Sequence, residues 1–240
     1  VDLAGPRSIN TTKVGSQGFR DVHIGMRLPR TAGQLTMTTL TDIQSQHDPR
    51  GVPIEEVGIS GLRYPLNFDD GSINQATTAE IEMTVALPAQ QRGTHMSRMV
   101  QVIDTHLQVV NPYDLSRFMK FAAGQLEADR VFLRVSMPLA TRLAAPTSGE
   151  QGWQVHDIRL DAQWSADDFT LQTSATCDVT TLCPCSKAIS DYGAHNQRSR
   201  VTLTVEGRGD EVCPASVSRL IELIQAAASC PVYPVVKRPD

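Results

Sequence analysis

The residues best suited to do chemistry lie in one short run, Thr180-Thr181-Leu182-Cys183-Pro184-Cys185-Ser186-Lys187, followed by Ile189-Ser190-Asp191-Tyr192-Gly193-Ala194-His195-Asn196-Gln197-Arg198-Ser199. Cys183 and Cys185 supply soft sulfur, and His195 supplies an imidazole nitrogen. Zn²⁺ accepts this mixture in tetrahedral geometry, and three protein ligands leave a fourth position for water. Water bound there ionises near neutral pH and becomes a hydroxide nucleophile. A thiol beside a metal, Lys187 or a histidine has a lowered pKa and serves as acid or nucleophile. The spacing is not that of a zinc finger, since this run holds no Cys-x-x-Cys and no second cysteine pair. Spacing alone therefore leaves open a catalytic metal or thiol, a structural metal, or a plain turn with buried cysteines.

Other candidates carry less chemistry. Gly93-Thr94-His95-Met96-Ser97-Arg98 lies between an alternating stretch and a helical one, where backbone N–H groups and the helix dipole favour an anion. The competing reading is a helix cap by Thr94 or Ser97. Lys187, Arg198 and Arg200 form a phosphate pocket or else are solvated charges. His106 and His156 read as surface or structural, and Met99 and Met119 as core packing. Cys177, Cys213 and Cys230 read as small core residues.

These groups need elements to position them. Residues 1–50, rich in Gly, Thr, Ser, Gln and Arg, read as an extended or flexible arm. Regular structure is expected from Ile54, with Val57 and Ile59 in a strand that ends near Tyr64-Pro65. Ala79, Ile81, Met83, Val85 and Leu87 then alternate with polar residues, which marks a strand with one buried face. Met99, Val100, Ile103 and Leu107 make a helical stripe stopped by Asn111-Pro112, and Leu115, Phe118, Met119, Ala122 and Leu126 make another. Alternation returns through Val131–Met137 and Ile158–Trp164, with a polar loop at 144–152. Phe169–Cys177 and Val201–Val205 are two further strands, and Val217–Ala228 is an amphipathic helix with Pro214 tolerable in its first turn.

The pattern predicts an α+β fold of two tandem ββααββ modules with antiparallel sheets, the second apparently truncated at its C-terminus. Expected boundaries are 1–50 for the arm, 51–166 for the first module and 167–240 for the incomplete second, which carries the Cys/His site. Because Val1 is not an initiator Met and the second module stops after one helix, further residues are expected beyond both ends.

With 240 residues, 40% of them hydrophobic, the chain can bury a core without disulfides. Five cysteines, an odd number without a regular framework, point to a reduced, cytoplasmic setting. A net charge of −4 with dispersed signs argues against general nucleic-acid binding, and no apolar run is long enough for a membrane span.

The run LCPCSKAISDYGAHNQRS resembles the signature of the prokaryotic type IB GTP cyclohydrolases. Three further stretches are similar to the same family: Val57-Gly58-Ile59 with Leu62-Arg63-Tyr64-Pro65; Leu87-Pro88 with Arg92–Arg98; and Ser229-Cys230, Val232-Tyr233-Pro234 and Lys237-Arg238-Pro239-Asp240. Together they span residues 42–240. The resemblance implies a tunnelling fold, a homotetramer, and conversion of GTP and water to 7,8-dihydroneopterin triphosphate and formate at the start of folate biosynthesis. It implies Zn²⁺ or Mn²⁺ (Fe²⁺ as a variant), with Cys183 and His195 as ligands and Cys185 contacting the purine. His95, Arg98, Lys187 and Arg198 are the expected substrate contacts. It also implies a Glu directly after Asp240 completing the metal site, and a second Glu holding the guanine. Competing readings are an archaeal-type Fe²⁺ enzyme giving a cyclic phosphate, a thiol-dependent tunnelling-fold nitrile reductase, and a non-catalytic, metal-stabilised binding module.

Overall fold

In the computed structural model, residue 44 and residues 46–166, 168–209 and 212–240 are described. Most of the expected N-terminal arm therefore lies outside the described residues. The alternating stretches form long antiparallel strands: β1 (Ile54–Asp69), β2 (Asn74–Leu87), β4 (Arg130–Ala144), β5 (Gln151–Ser165), β6 (Asp168–Leu182) and β7 (Asn196–Arg208). Between β2 and β4 come α1 (Met96–His106), the two-residue strand β3 (Val109–Val110) and α2 (Leu115–Leu126). The short helix α3 (Pro184–Ile189) joins β6 to β7, and α4 (Val217–Ala227) and β8 (Cys230–Pro231) follow. The sheet order is β3-β1-β2-β4-β5-β6-β7, with β8 also pairing to β6.

One sheet face is apolar because successive strand residues point to opposite sides. Ala79, Ile81, Met83 and Val85 of β2, Val131, Leu133 and Val135 of β4, and Phe169, Leu171, Ala175 and Val179 of β6 are all buried on it. The helices close this face with Met99 and Ile103 of α1, Leu115 and Met119 of α2, and Leu220, Ile221 and Ile224 of α4. Each such side chain sealed from water contributes roughly 1.5–3 kcal/mol. The opposite face is polar and carries a charge ladder: Arg134 donates to Glu82 at 2.6 Å and to Asp161 at 2.9 Å, and Arg159 to Asp161 at 2.7 Å. One covered and one wet face is the usual arrangement of an antiparallel sheet. The fold is thus α+β with tunnelling-like architecture, a ββααββ unit followed by a second begun by β6, β7 and α4.

Four elements depart from expectation. β1 runs past the expected end at Tyr64-Pro65 to Asp69, pairing with β2 throughout. β3 forms in the segment read only as a helix stop, pairing parallel to Asn67 and Phe68 of β1. The turn expected between the two strands is a short helix, α3, and it holds no buried residue. After α4, the described residues hold β8 and an extended segment where the repeat called for another helix. The expected boundary at 166/167 falls between β5 and β6, whose pairing is continuous from Ser165↔Asp168 to Asp157↔Thr176.

Candidate functional site

The β6–β7 hairpin sets the geometry of the Cys/His segment. Its last strand pair is Leu182↔Asn196, and the ladder closes one residue further on, where the Cys183 N–H donates to the His195 carbonyl at 3.3 Å. Pro184 then occupies the first turn of α3, where its missing N–H costs nothing. Cys183 stands at the N-cap in extended conformation, and its carbonyl accepts from the Lys187 N–H at 3.1 Å. The Ser186 hydroxyl accepts from the His195 N–H at 3.3 Å, which ties α3 back to the incoming strand. Cys183 and His195 are therefore held as backbone neighbours by three hydrogen bonds.

The His195 Nδ1 lies 3.3 Å from the Asn196 carbonyl. A proton on Nδ1 directed there leaves the Nε2 lone pair available to an electrophile. Cys183 is half-buried, whereas Cys185, Lys187, His195 and Arg198 are exposed. No residue of α3 is buried, and Ile189 and Tyr192 are 89% and 102% exposed. The sulfur and imidazole donors suit a borderline-soft ion such as Zn²⁺. Among the described residues, however, no group of three or more His, Cys, Asp or Glu is close enough to hold one. An ion here would take Cys183 and His195 and need a further ligand.

The basic candidates separate. Lys187 lies in the last turn of α3 and Arg198 opposite Thr180 at the start of β7, both beside the Cys/His pair. Arg200 is engaged instead, with Asp178 at 3.0 Å and Asp157 at 3.8 Å. His95 and Arg98 sit at the start of α1, where neither Thr94 nor Ser97 caps the helix; the His95 carbonyl accepts from the N–H groups of Arg98 and Met99. The Arg98 guanidinium donates to the Gln125 carbonyl at 3.0 Å and pairs with Glu127 at 3.3 Å.

The structure does not bring these two basic groups together within one chain. Val85 is in line with Val131, Trp164 and Phe169 across the sheet, so α1 starts at the Phe169 end of β6. Cys183 follows the other end, and at 3.3 Å per residue the strand path between is roughly 40 Å. Motif spacing could not have signalled this, because it depends on strand direction.

Of the other residues read as structural, Cys230 alone departs from that reading. His156 is 2% exposed, its Nε2 2.9 Å from the Thr141 hydroxyl, its Nδ1 without a partner among the described residues, and burial pushes its pKa down. Burial pushes the Cys177 thiol up to about 11, away from any reactive role. Cys213 is buried, but Cys230 is half-buried and lies in β8 rather than in the core. His106 is exposed and packs against Phe121. Asp70, not singled out by sequence pattern, is almost fully buried and accepts from the Val217 N–H of α4 at 2.7 Å.

Residues 40–240 match the family model described as type I GTP cyclohydrolase folE2. The GTP cyclohydrolase FolE2 of Neisseria meningitidis serogroup A is 37% identical over 204 residues, covering 85% of this chain and 67% of that protein. The GTP cyclohydrolase FolE2 of Ralstonia nicotianae is 37% identical over 201 residues, 84% of this chain and 74% of the relative. That of Fervidobacterium nodosum is 33% identical over 202 residues, 84% and 76% respectively. This corrects the type IB designation drawn from the short motifs: the family model that matches over residues 40–240, and the relatives similar to the chain, are those of folE2. No helix among the described residues is long and apolar enough to cross a membrane.

Proposed function

Because the chain belongs to the type I GTP cyclohydrolase folE2 family, we propose that it hydrolyses GTP to 7,8-dihydroneopterin triphosphate and formate, a step toward folate. The observation that carries the proposal is the hydrogen-bonded junction of Cys183 and His195, with Cys185 in the first turn of α3 that leaves it. Removing C8 of guanine as formate requires water added at C8, opening of the imidazole ring, and hydrolysis of the resulting formamide. Each stage needs a proton delivered or withdrawn near neutral pH. Cys185, exposed on α3, is suited to hand protons to the ring nitrogens. Lys187 and Arg198 beside it have no ion-pair partner among the described residues, so their charges remain for the triphosphate. A Zn²⁺, Mn²⁺ or Fe²⁺ ion on Cys183 and His195 would supply an activated water when bound.

We further propose that the working unit is a homo-oligomer. His95 and Arg98 lie at the far end of the sheet from Cys183, so both groups meet one GTP only if a second copy contributes one of them. The edges suit such pairing. β7 presents 13 residues with one side unpaired among the described residues, and β3 covers only Asn67 and Phe68 of the outer side of β1. Leu182, Ile189 and Tyr192 at the tip of the β6–β7 hairpin and Val201 on β7 are exposed. A long open edge with apolar neighbours is a template for strand addition.

Formate release and pterin fluorescence from GTP, measured with and without a chelator, test the reaction. Metal-dependent release of formate is expected. Activity indifferent to chelation would overturn the metal assignment, and inactivity with each of Zn²⁺, Mn²⁺ and Fe²⁺ would overturn the reaction.

A further inference from the structure

β5 and β6 pair only as far as Asp157↔Thr176. Beyond that point β5 stays with β4 down to Gln151, and β6 stays with β7 up to Leu182, so the two hairpins part as prongs of a fork. The chain after α4 fills the fork as a V. Its first limb pairs Cys230 with Thr180 and Pro231 with Val179 on β6. Its second limb returns along β5. There Gln154 Nε2 donates to the Val232 carbonyl at 2.5 Å, and Gln225 Nε2 donates to Gln154 Oε1 at 2.9 Å. Gly152 lies so close to this limb that a Cβ would sit 2.4 Å from Pro234 Cγ and 3.1 Å from Val235 Cγ2. Lys237 pairs with Glu150.

The second limb is fastened at Asp240. One carboxylate oxygen accepts from the N–H groups of Thr147 at 2.9 Å and Ser148 at 2.7 Å. The other accepts from the Ser148 hydroxyl and the Lys237 N–H, each at 2.7 Å. Hydrogen bonds to an ionised acceptor are among the strongest a surface turn can offer. The root of the β6–β7 prong is packed through Cys177 and Val179, but from Thr180 to Ser199 no residue is buried and α3 adds none, and an isolated two-stranded hairpin is marginal in water.

We propose that residues 230–240 are a brace between the two prongs, and that Ser148, Gly152 and Gln154 are positioning residues for the Cys183/Cys185/His195 cluster. The catalytic consequence rests on the GTP reaction proposed above; the placement of the cluster does not. In the 240-residue chain, Ser148→Ala removes one fastening bond and Gly152→Ala drives a methyl group into Pro234, while Ser148→Thr keeps the hydroxyl. Three readouts apply: amide hydrogen exchange over 177–199 and 230–240, alkylation rates of Cys183 and Cys185 by iodoacetamide, and kcat and KM for formate release.

Ser148→Ala is expected to speed exchange in both stretches by roughly tenfold, the effect of losing one charge-assisted bond, and Gly152→Ala to speed it as well by displacing Pro234. They are also expected to change thiol alkylation several-fold and to lower kcat more than they raise KM, with Ser148→Thr near wild type. Faster exchange in 230–240 alone, with 177–199 and the thiols unaffected, overturns the brace, as does no change anywhere. Altered exchange and alkylation with unchanged kcat overturns the catalytic consequence. If wild type releases no formate, the GTP reading fails while exchange and alkylation still decide the brace. If Gly152→Ala does not fold, the Ser148 pair decides alone.

Discussion

Cys183 and Cys185 differ in setting although one proline separates them. Cys183 is half-buried at the hairpin closure, bonded through its backbone to both His195 and Lys187, whereas Cys185 is exposed on α3. A ligand must be held still and a proton carrier must be reached, so the two thiols suit different tasks. Cys183→Ala is expected to abolish stoichiometric metal binding. Cys185→Ala is expected to keep the metal and lose at least about a hundredfold in turnover, the scale of a lost general acid or base. Metal analysis beside formate release checks both, and loss of metal from Cys185→Ala alone would reverse the roles. His156 makes a separate prediction. Burial holds its folded pKa below the ordinary 6.5, so the unfolded chain takes up the proton first as pH falls. Its contribution to stability is full above about pH 6.5 and declines below it. His156→Gln is expected to flatten the loss of stability between pH 7 and pH 5, read by urea denaturation at each pH.

At the scale of elements, α4 is held at its N-terminus from far away in sequence. Asp70, in the β1–β2 turn, accepts from the N–H groups of Ser72 and Ile73 and the Ser72 hydroxyl with one oxygen, and from the Val217 N–H with the other. A buried carboxylate there satisfies an orphan helix donor and opposes the helix dipole. Asp70→Ala is expected to cost about 2–4 kcal/mol by stranding those donors, with Asp70→Asn milder; thermal unfolding of the pair checks it. Nothing in the pattern around Asp70 announced this, since a turn aspartate reads as solvated. Elements with a buried face were legible: the alternation at Ala79–Leu87 and the stripe at Val217–Ile224 each bury an unbroken row. β3, α3 and β8 were not, because two to six residues are too few to show a period, and their stability comes from partners distant in sequence. The Cys183/Cys185/His195 cluster was legible because one hairpin carries it. The opposite placement of His95 and Arg98 was not, because it follows from strand order across the whole sheet.

For the whole molecule, that placement turns into a question of assembly. A homo-oligomer closed through the β7 edge would bring the far end of a second copy to each Cys/His cluster, and symmetry would repeat the arrangement. Val201 is partly exposed on β7. Val201→Lys puts a charge where strand addition must bury it, and is expected to yield smaller species in sedimentation with little formate release. A mixing experiment is more discriminating. Cys185→Ala and Arg98→Ala chains are each expected to be inactive, one lacking the proton carrier and the other the distant cation. If a site draws its halves from two copies, co-refolding equal amounts leaves about one site in four with both halves intact, since each half is wild type half the time. Activity near a quarter of wild type is therefore expected from two inactive parents. If each site were built within one chain, mixing would restore nothing, because every chain would still carry its own defect.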